Sequence, residues 1–183
     1  MGNDATRSEQ LIGELLTLIK DPRDGLPEEV FLFISRITPL VNVDLLIRND
    51  KGQVLLTWRD DGYFGPAWHV PGGIVRFKES MEKRIREVAR TELGCDVFFP
   101  EAPRAINQVI DPSRDVRGHF ISLLYECTTS TEPRPELKFQ GGMPMHGQWQ
   151  WHDKCPQNLV SVHEMYRCHI DRDRNNSGIS ATQ

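Results

Sequence analysis

The stretch from Pro71 to Gly94 restricts the fold more than any other part of the chain. Pro71-Gly72-Gly73 makes a turn, and the apolar spacing predicts a helix from about Ser80 to Leu93, closed by Gly94. Met81, Ile85 and Val88 form its buried stripe, and at about 100° per residue Glu92 falls close to the line of Ile85 and Val88. A carboxylate on an apolar face is unfavourable unless it is paired or bound to a cation. It also stands in the last turn, where the helix dipole opposes negative charge. A hard cation answers both problems, since Mg²⁺ takes oxygen ligands and is usually held by one or two carboxylates plus substrate phosphates. The competing explanation is a frayed last turn with Glu92 in solvent; spacing alone leaves both open.

The flanking sequence supplies strands on either side of this helix. Leu40 to Arg48 and Gln53 to Arg59 read as strands, and Asn49-Asp50-Lys51-Gly52 between them is a hairpin signal. Asp44 lies mid-strand among Val41, Val43, Leu45, Leu46 and Ile47, so it needs a partner or a place at the end of a pocket. Trp68 to Val70 is a short strand leading into the Pro-Gly-Gly turn. Further strands are expected near Asp96–Phe99, Arg104–Ile110, His119–Cys127 and Gly147–Trp151, with a closing amphipathic helix over about Asn158–Ile170. Upstream, Ser8 to Ile19 has helical spacing, and Pro27 opens a second helix that stops before Pro39. These two helices cap the core or supply a dimer surface. The order of elements predicts a mixed α/β domain.

Length and charge narrow the function. The 183 residues suit one compact domain with a substantial core. A net charge of −4 argues against a nucleic-acid partner, though a few placed cations and a metal can still bind phosphates. No apolar run is long enough to span a bilayer, and Met1-Gly2-Asn3-Asp4-Ala5 lacks the features of a secretory signal, so a cytoplasmic protein without membrane attachment is expected. Cys95, Cys127, Cys155 and Cys168 form no Cys-x-x-Cys pair and read as packing residues or free thiols.

Gly73 through Gly94 resembles a degenerate Nudix box. Gly73 matches its first glycine, Glu79 its first acid, Glu92 its last acid and Gly94 its closing glycine, while Glu87, Val88 and Thr91 stand where the family has Arg, Glu and Glu. Thr38-Pro39-Leu40-Val41, Val54-Leu55-Leu56, Arg59, Trp68-His69-Val70-Pro71-Gly72-Gly73 and Thr91-Glu92-Leu93-Gly94 are similar to GDP-mannose mannosyl hydrolases, a subfamily lacking the same carboxylates. The resemblance implies a Nudix fold, a mixed β-sheet sandwiched between helices, with extra N-terminal helices. It divides the chain into an N-terminal helical extension (1–25), a Nudix hydrolase domain (26–172) and a disordered tail (173–183).

In that subfamily the sugar–diphosphate bond is cleaved at the anomeric carbon, releasing a nucleoside diphosphate. The resemblance implies Mg²⁺ (or Mn²⁺) on the Gly72 carbonyl and Glu92, Arg59 on the diphosphate, Asp44 orienting the substrate or its neighbours, and His146 as general base. Arg76 is a further substrate-binding candidate. Each has a plainer alternative: Arg59 as a surface ion pair with Asp60 or Asp61, His146 as an ordinary loop histidine. Glu79 reads as structural, and Trp68 and Tyr63 as packing residues. The chain departs from the subfamily at Met145, where a metal-binding Gln is expected, at Ile74 and Glu87, where Arg is expected, and at Val109, where a second His is expected. The expected function is metal-dependent hydrolysis of a nucleotide sugar by glycosyl C–O cleavage. Its competitors are a pyrophosphohydrolase attacking phosphorus and a Nudix-fold domain that binds nucleotides without turnover. A homodimer through the N-terminal helices is compatible with the sequence.

Overall fold

Two β-sheets share the core of the protein, whose computed structural model describes residues 2–171. The expected disordered tail lies outside that range. Helices α1 (Gly2–Thr17) and α2 (Glu28–Ile37) precede strands β1 (Leu40–Ile47), β2 (Val54–Arg59), β3 (Ala67–His69) and β4 (Gly72–Ile74). Helix α3 (Met81–Val88) follows, then β5 (Val97–Phe98), β6 (Ala105–Ile110), β7 (His119–Thr129), β8 (Trp149–His152) and the short helix α4 (Arg167–Ile170). One mixed sheet runs β4-β1-β7-β5, with β6 also on β7; β1 and β7 are parallel and the other pairs antiparallel. A second, antiparallel sheet runs β3-β2-β8.

The hairpin expected over residues 40–59 is corrected by this topology. The turn itself forms: Asn49 Oδ1 accepts from the Lys51 and Gln53 N–H groups, and Gly52 takes a φ of 77°. Beyond a single Arg48–Val54 bridge, however, β1 and β2 diverge into different sheets. Period-two alternation on β1 sends Val43, Leu45 and Ile47 into one apolar cluster with Ile85, Val88 and Leu93. Leu46 enters the other, with Leu124, Trp68 and Tyr166. Asn42 and Asp44 share the parity of Leu46 and therefore its side of the sheet.

Helix α3 begins where expected, with Ser80 Oγ accepting from the Lys83 N–H. Its end differs. After Val88 the chain passes into a π-helical turn, Ala89–Leu93, and the Gly94 N–H reaches back to the Ala89 carbonyl. The wider turn shifts the stripe by a residue. Leu93, fully buried, completes the apolar seam, and Glu92 is rotated out of it. The closing helix is also shorter than expected. The Trp68 N–H donates to the Asn158 carbonyl and the Val160 N–H to the Trp68 carbonyl, so residues 158–160 are drawn into extended pairing. Helical turns begin only with the 3-10 segment Ser161–Tyr166.

The four cysteines are free thiols, and burial pushes Cys95 and Cys127 up to about 11 and about 12, as befits packing residues. Helix α1 leaves Leu11, Ile12 and Leu16 exposed, whereas α2 buries Val30 and walls a cavity described below.

Gly94 holds the π-turn closed. Its φ of 66° is left-handed, and a Cβ there would run into Arg134, whose Nη2 donates to the Thr91 and Arg90 carbonyls. Gly94→Ala is therefore expected to lower stability by about 1–2 kcal/mol. Urea unfolding reads this out; an unchanged midpoint would show that the turn does not need the glycine.

Candidate functional site

Strand β4 places Gly72 directly opposite Asp44 on β1, close enough that a Cβ on Gly72 would overlap the Asp44 carboxylate. Only glycine fits there. The π-turn then brings Glu92 against the same point: the Gly72 N–H faces Glu92 Oε1 at 3.4 Å, and His69 Nε2 lies 3.8 Å from Glu92 Oε2. Asp44, Gly72 and Glu92 thus come together from three elements.

Both acids are held away from their charged forms. Burial pushes Glu92 up to about 7, helped by the nearby Asp44, while the Gly72 N–H and Arg59 oppose the shift. Burial likewise raises Asp44 to about 6, against hydrogen bonds from Tyr166 and Ser122. Tyr166 Oη donates to Asp44 Oδ2 at 2.6 Å, which supplies the partner that a mid-strand acid requires. His69 is driven down to about 3 by burial and then by Arg59, so it is neutral. Its Nδ1 donates to the Thr57 carbonyl at 2.9 Å, which leaves the Nε2 lone pair turned toward Thr57 Oγ1 and Glu92.

Two cavities meet at this point. A cleft of ≈460 Å³ is walled by Arg59, Asp61, His69, Gly72, Glu92 and His146. A chamber of ≈430 Å³ lies under α2, and its walls share only Arg59 and Gly72 with the cleft. The structure therefore gathers Arg59, Gly72, Glu92 and His146 around one cleft. Arg76 lines the chamber instead, with Nη1 donating to the Arg23 carbonyl. Asp44 lies behind Gly72, buried and outside the walls of both cavities, with its carboxylate on Tyr166.

Arg59 makes the ion pair weighed for it and also lines the cavities. It pairs with Asp61 at 2.5 Å, its guanidinium lies 4.8 Å from the Phe64 ring centroid, and it still borders both cavities. Burial works against the Asp61 carboxylate, but Arg59 and the Phe64 and Tyr63 N–H groups outweigh it and lower Asp61 to about 2. His146 Nδ1 accepts from the Asp60 N–H at 3.2 Å, so in this arrangement the ring proton resides on Nε2. Glu79 accepts from Arg84 Nε and the Arg76 N–H, the structural role expected of it. Trp68 packs edge-on against Trp58 in the core. Met145 is exposed, and Ile74 and Val109 line the chamber.

Sequence reasoning named Asp61 as an ion-pair partner of Arg59, as found, but passed over His69, Tyr166 and Arg117 as site residues. His69 sits within the Trp68–Gly73 run already singled out. Tyr166 and Arg117 carry no local signal, because their contacts are made across the fold.

The donor set fits a divalent cation brought in with phosphate oxygens. Glu92 supplies one carboxylate beside Asp44 and neutral His69, and no cluster of three or more acidic, His or Cys ligands exists among the described residues. The acid chemistry gives a direct test. An acid raised from 4.5 unfolded to about 7 folded makes the native state bind more protons between those values, so stability falls as pH rises through that window. Glu92→Gln abolishes this loss and leaves that of Asp44 in both proteins. In EDTA, wild type should lose about 1–2 kcal/mol relative to Glu92→Gln between pH 4 and pH 8 in urea unfolding. A stability difference independent of pH would contradict the raised pKa.

Comparison with known proteins identifies the lineage. Residues 38–155 match the NUDIX domain. The chain is 34% identical over 111 residues to the low-salt glycan biosynthesis protein Agl8 of Haloferax volcanii, covering 58% of this chain and 70% of that one. It is 31% identical over 87 residues to an ADP-ribose pyrophosphatase of Methanocaldococcus jannaschii, spanning 48% of this chain and about half (49%) of that protein. Among solved structures, a MutT NUDIX hydrolase from Burkholderia pseudomallei superposes with a TM-score of 0.53 at 25% identity, over 70% of this chain and 95% of the other. A UDP-X diphosphatase shares the fold at a TM-score of 0.53 and 19% identity, over 92% and 78% of the two chains. No helix among the described residues is long and apolar enough to cross a membrane. With a match across more than half its length and the same fold as solved relatives, this chain belongs to the NUDIX hydrolase family.

Proposed function

We propose that this NUDIX hydrolase acts on a nucleoside-diphosphate sugar with Mg²⁺ or Mn²⁺ and breaks the glycosyl C–O bond, giving free sugar and nucleoside diphosphate. The observation that carries this reading is that Glu92 alone among the acids of residues 79–92 reaches the cleft. Glu79 is held by Arg84, Glu82 pairs with Arg86, and Glu87 pairs with Arg90 at 2.5 Å. Clamping both attacking and leaving oxygens at phosphorus calls for paired metals and the carboxylates to hold them. One carboxylate suits a single cation on a leaving diphosphate, with water activated elsewhere.

Glu92 and the Gly72 carbonyl would hold the cation, which when bound would draw negative charge from the leaving diphosphate. Neutral His69 would add a nitrogen donor beside Glu92. Arg59, braced by Asp61, keeps N–H groups for the phosphate oxygens. Tyr166 and Asp44 fix the strand that carries Gly72. His146 accepts the proton of the attacking water once its ring nitrogen is released from Asp60. Gly141, Gly142 and Gly147, all at positive φ, shape the loop that carries it. The glycan-biosynthesis name of the 34% identical relative supports a sugar-bearing substrate.

A second reading, attack on phosphorus, is favoured by the pyrophosphatase name of the 31% identical relative. The products separate the two. Incubation of a nucleotide-sugar panel in ¹⁸O water with Mg²⁺ or Mn²⁺ should place the label on free sugar beside unlabelled nucleoside diphosphate. His146→Ala and Glu92→Gln should each lower kcat by about 10²–10⁴-fold. Labelled sugar phosphate or nucleoside monophosphate would establish attack at phosphorus, and binding without turnover would contradict an enzyme acting on these substrates.

A further inference from the structure

His69 lies on β3 directly opposite Thr57 on β2, and its ring forms part of the cleft wall. Its side chain is only 11% exposed, so both ring nitrogens are expected to have partners. Nδ1 has one: it donates to the Thr57 carbonyl at 2.9 Å. That bond fixes the tautomer and makes Nε2 the acceptor. Thr57 Oγ1 is 3.2 Å from Nε2 but also 3.3 Å from Nδ1, so it is centred on neither nitrogen. The acid beside Nε2 is Glu92, with Oε2 at 3.8 Å.

A nitrogen lone pair and a carboxylate oxygen are both acceptors. At 3.8 Å they are too far apart for one hydrogen bond, and the neutral ring brings no charge to hold the acid. Two donors that each reach about 2.0–2.2 Å to a single cation can span that separation. A ligand histidine almost always donates its other ring N–H to a backbone carbonyl, a carboxylate or water, and the Thr57 contact is that arrangement.

Other donors near the cleft are engaged. Asp61 is held by Arg59, Thr91 Oγ1 donates to the Glu87 carbonyl, and Gln148 Oε1 accepts from the Met145 N–H. Met145, standing where the resemblance places a metal-binding Gln, is exposed and carries only a thioether, which is a poor ligand for a hard cation. Resting on the metal-dependent reading above, we propose that His69 Nε2 is an inner ligand of the cation together with Glu92, which makes the cleft a mixed nitrogen–oxygen site for a transition-metal ion such as Co²⁺, Fe²⁺ or Zn²⁺ in preference to Mg²⁺. Imidazole suits such ions, whereas Mg²⁺ takes oxygen ligands. The run from β3 into β4 then carries two of the ligands, His69 and the Gly72 carbonyl, three residues apart.

Calorimetric titration of the full chain with CoCl₂ and with MgCl₂ tests this without turnover. His69→Phe should weaken Co²⁺ by about tenfold or more, at least what losing the hydrogen-bond partner of a ligand costs. Mg²⁺ binding should stay within about threefold, which also shows that the variant is folded, and Glu92→Gln should weaken both ions. Proton NMR of the Co²⁺-loaded protein, labelled with ¹⁵N at histidine, reads the bond directly and needs no variant. A coordinated ring shows a paramagnetically shifted Nδ1–H, which the Thr57 carbonyl protects from exchange. The signal should be present in wild type and in His146→Ala and absent from His69→Phe. Its absence from wild type, its survival in His69→Phe, or unchanged Co²⁺ affinity in that variant would overturn the assignment. Equal loss of Co²⁺ and Mg²⁺ would also overturn it, by making His69 a packing residue. Co²⁺ bound through Glu92 without His69 refutes the nitrogen ligand and leaves metal-dependent hydrolysis standing, whereas no binding of either ion refutes both.

Discussion

The π-turn that ends the helix after Gly73 is the constraint on which the site depends. An α-helical turn in its place would set Glu92 nearer the line of Ile85 and Val88, in the seam that Leu93 fills. The wider turn separates the two demands. Leu93 takes the buried position, and the carboxylate emerges beside Gly72, His69 and Arg59. Keeping that acid close to a second one, Asp44, is unfavourable in the absence of a cation. Burial holds both above the usual carboxylate range, and Asp44 adds to the shift of Glu92. A site stabilised by adding positive charge is what a diphosphate-and-metal ligand requires.

Much of this was legible in the sequence because it is local. Ser80, the Met81–Ile85–Val88 stripe and Gly94 mark a helix by spacing alone, and the Pro-Gly-Gly turn marks its entrance. Spacing singled out Glu92, resemblance added Arg59, Gly72 and His146, and these four border one cleft. What the sequence could not convey depends on contacts between distant segments. The Asn49–Gly52 turn forms as its residues dictate, yet the strands it joins separate because β7 and β8 offer each a better neighbour. Helical periodicity has no sign for a one-residue change of hydrogen-bond register, so the π-turn was invisible. Tyr166 reaches Asp44 from the far end of the chain, and Arg117 reaches the chamber from a loop.

Two of the positions at which the sequence differs from the resemblance have a common location. Ile74 and Val109 face a chamber that Arg76 and Arg117 also line, both from loop segments. Arg76, a substrate-binding candidate by sequence, belongs to that chamber and not to the cleft of Arg59 and Glu92. The two adjoining cavities differ in chemistry, the cleft lined by acids, histidines and Arg59, the chamber by aromatic rings and arginines.

The most direct test of the account is the titration of the Glu92 carboxyl itself, followed by carbon NMR in protein labelled at glutamate Cδ. Without divalent ions it should titrate near pH 7, well above the other glutamates. With Mn²⁺ replaced by diamagnetic Mg²⁺ and a nucleoside diphosphate present, the midpoint should fall below the ordinary carboxylate range. An ordinary midpoint that ignores both additions would show a solvent-facing acid and leave the fold without its proposed chemistry.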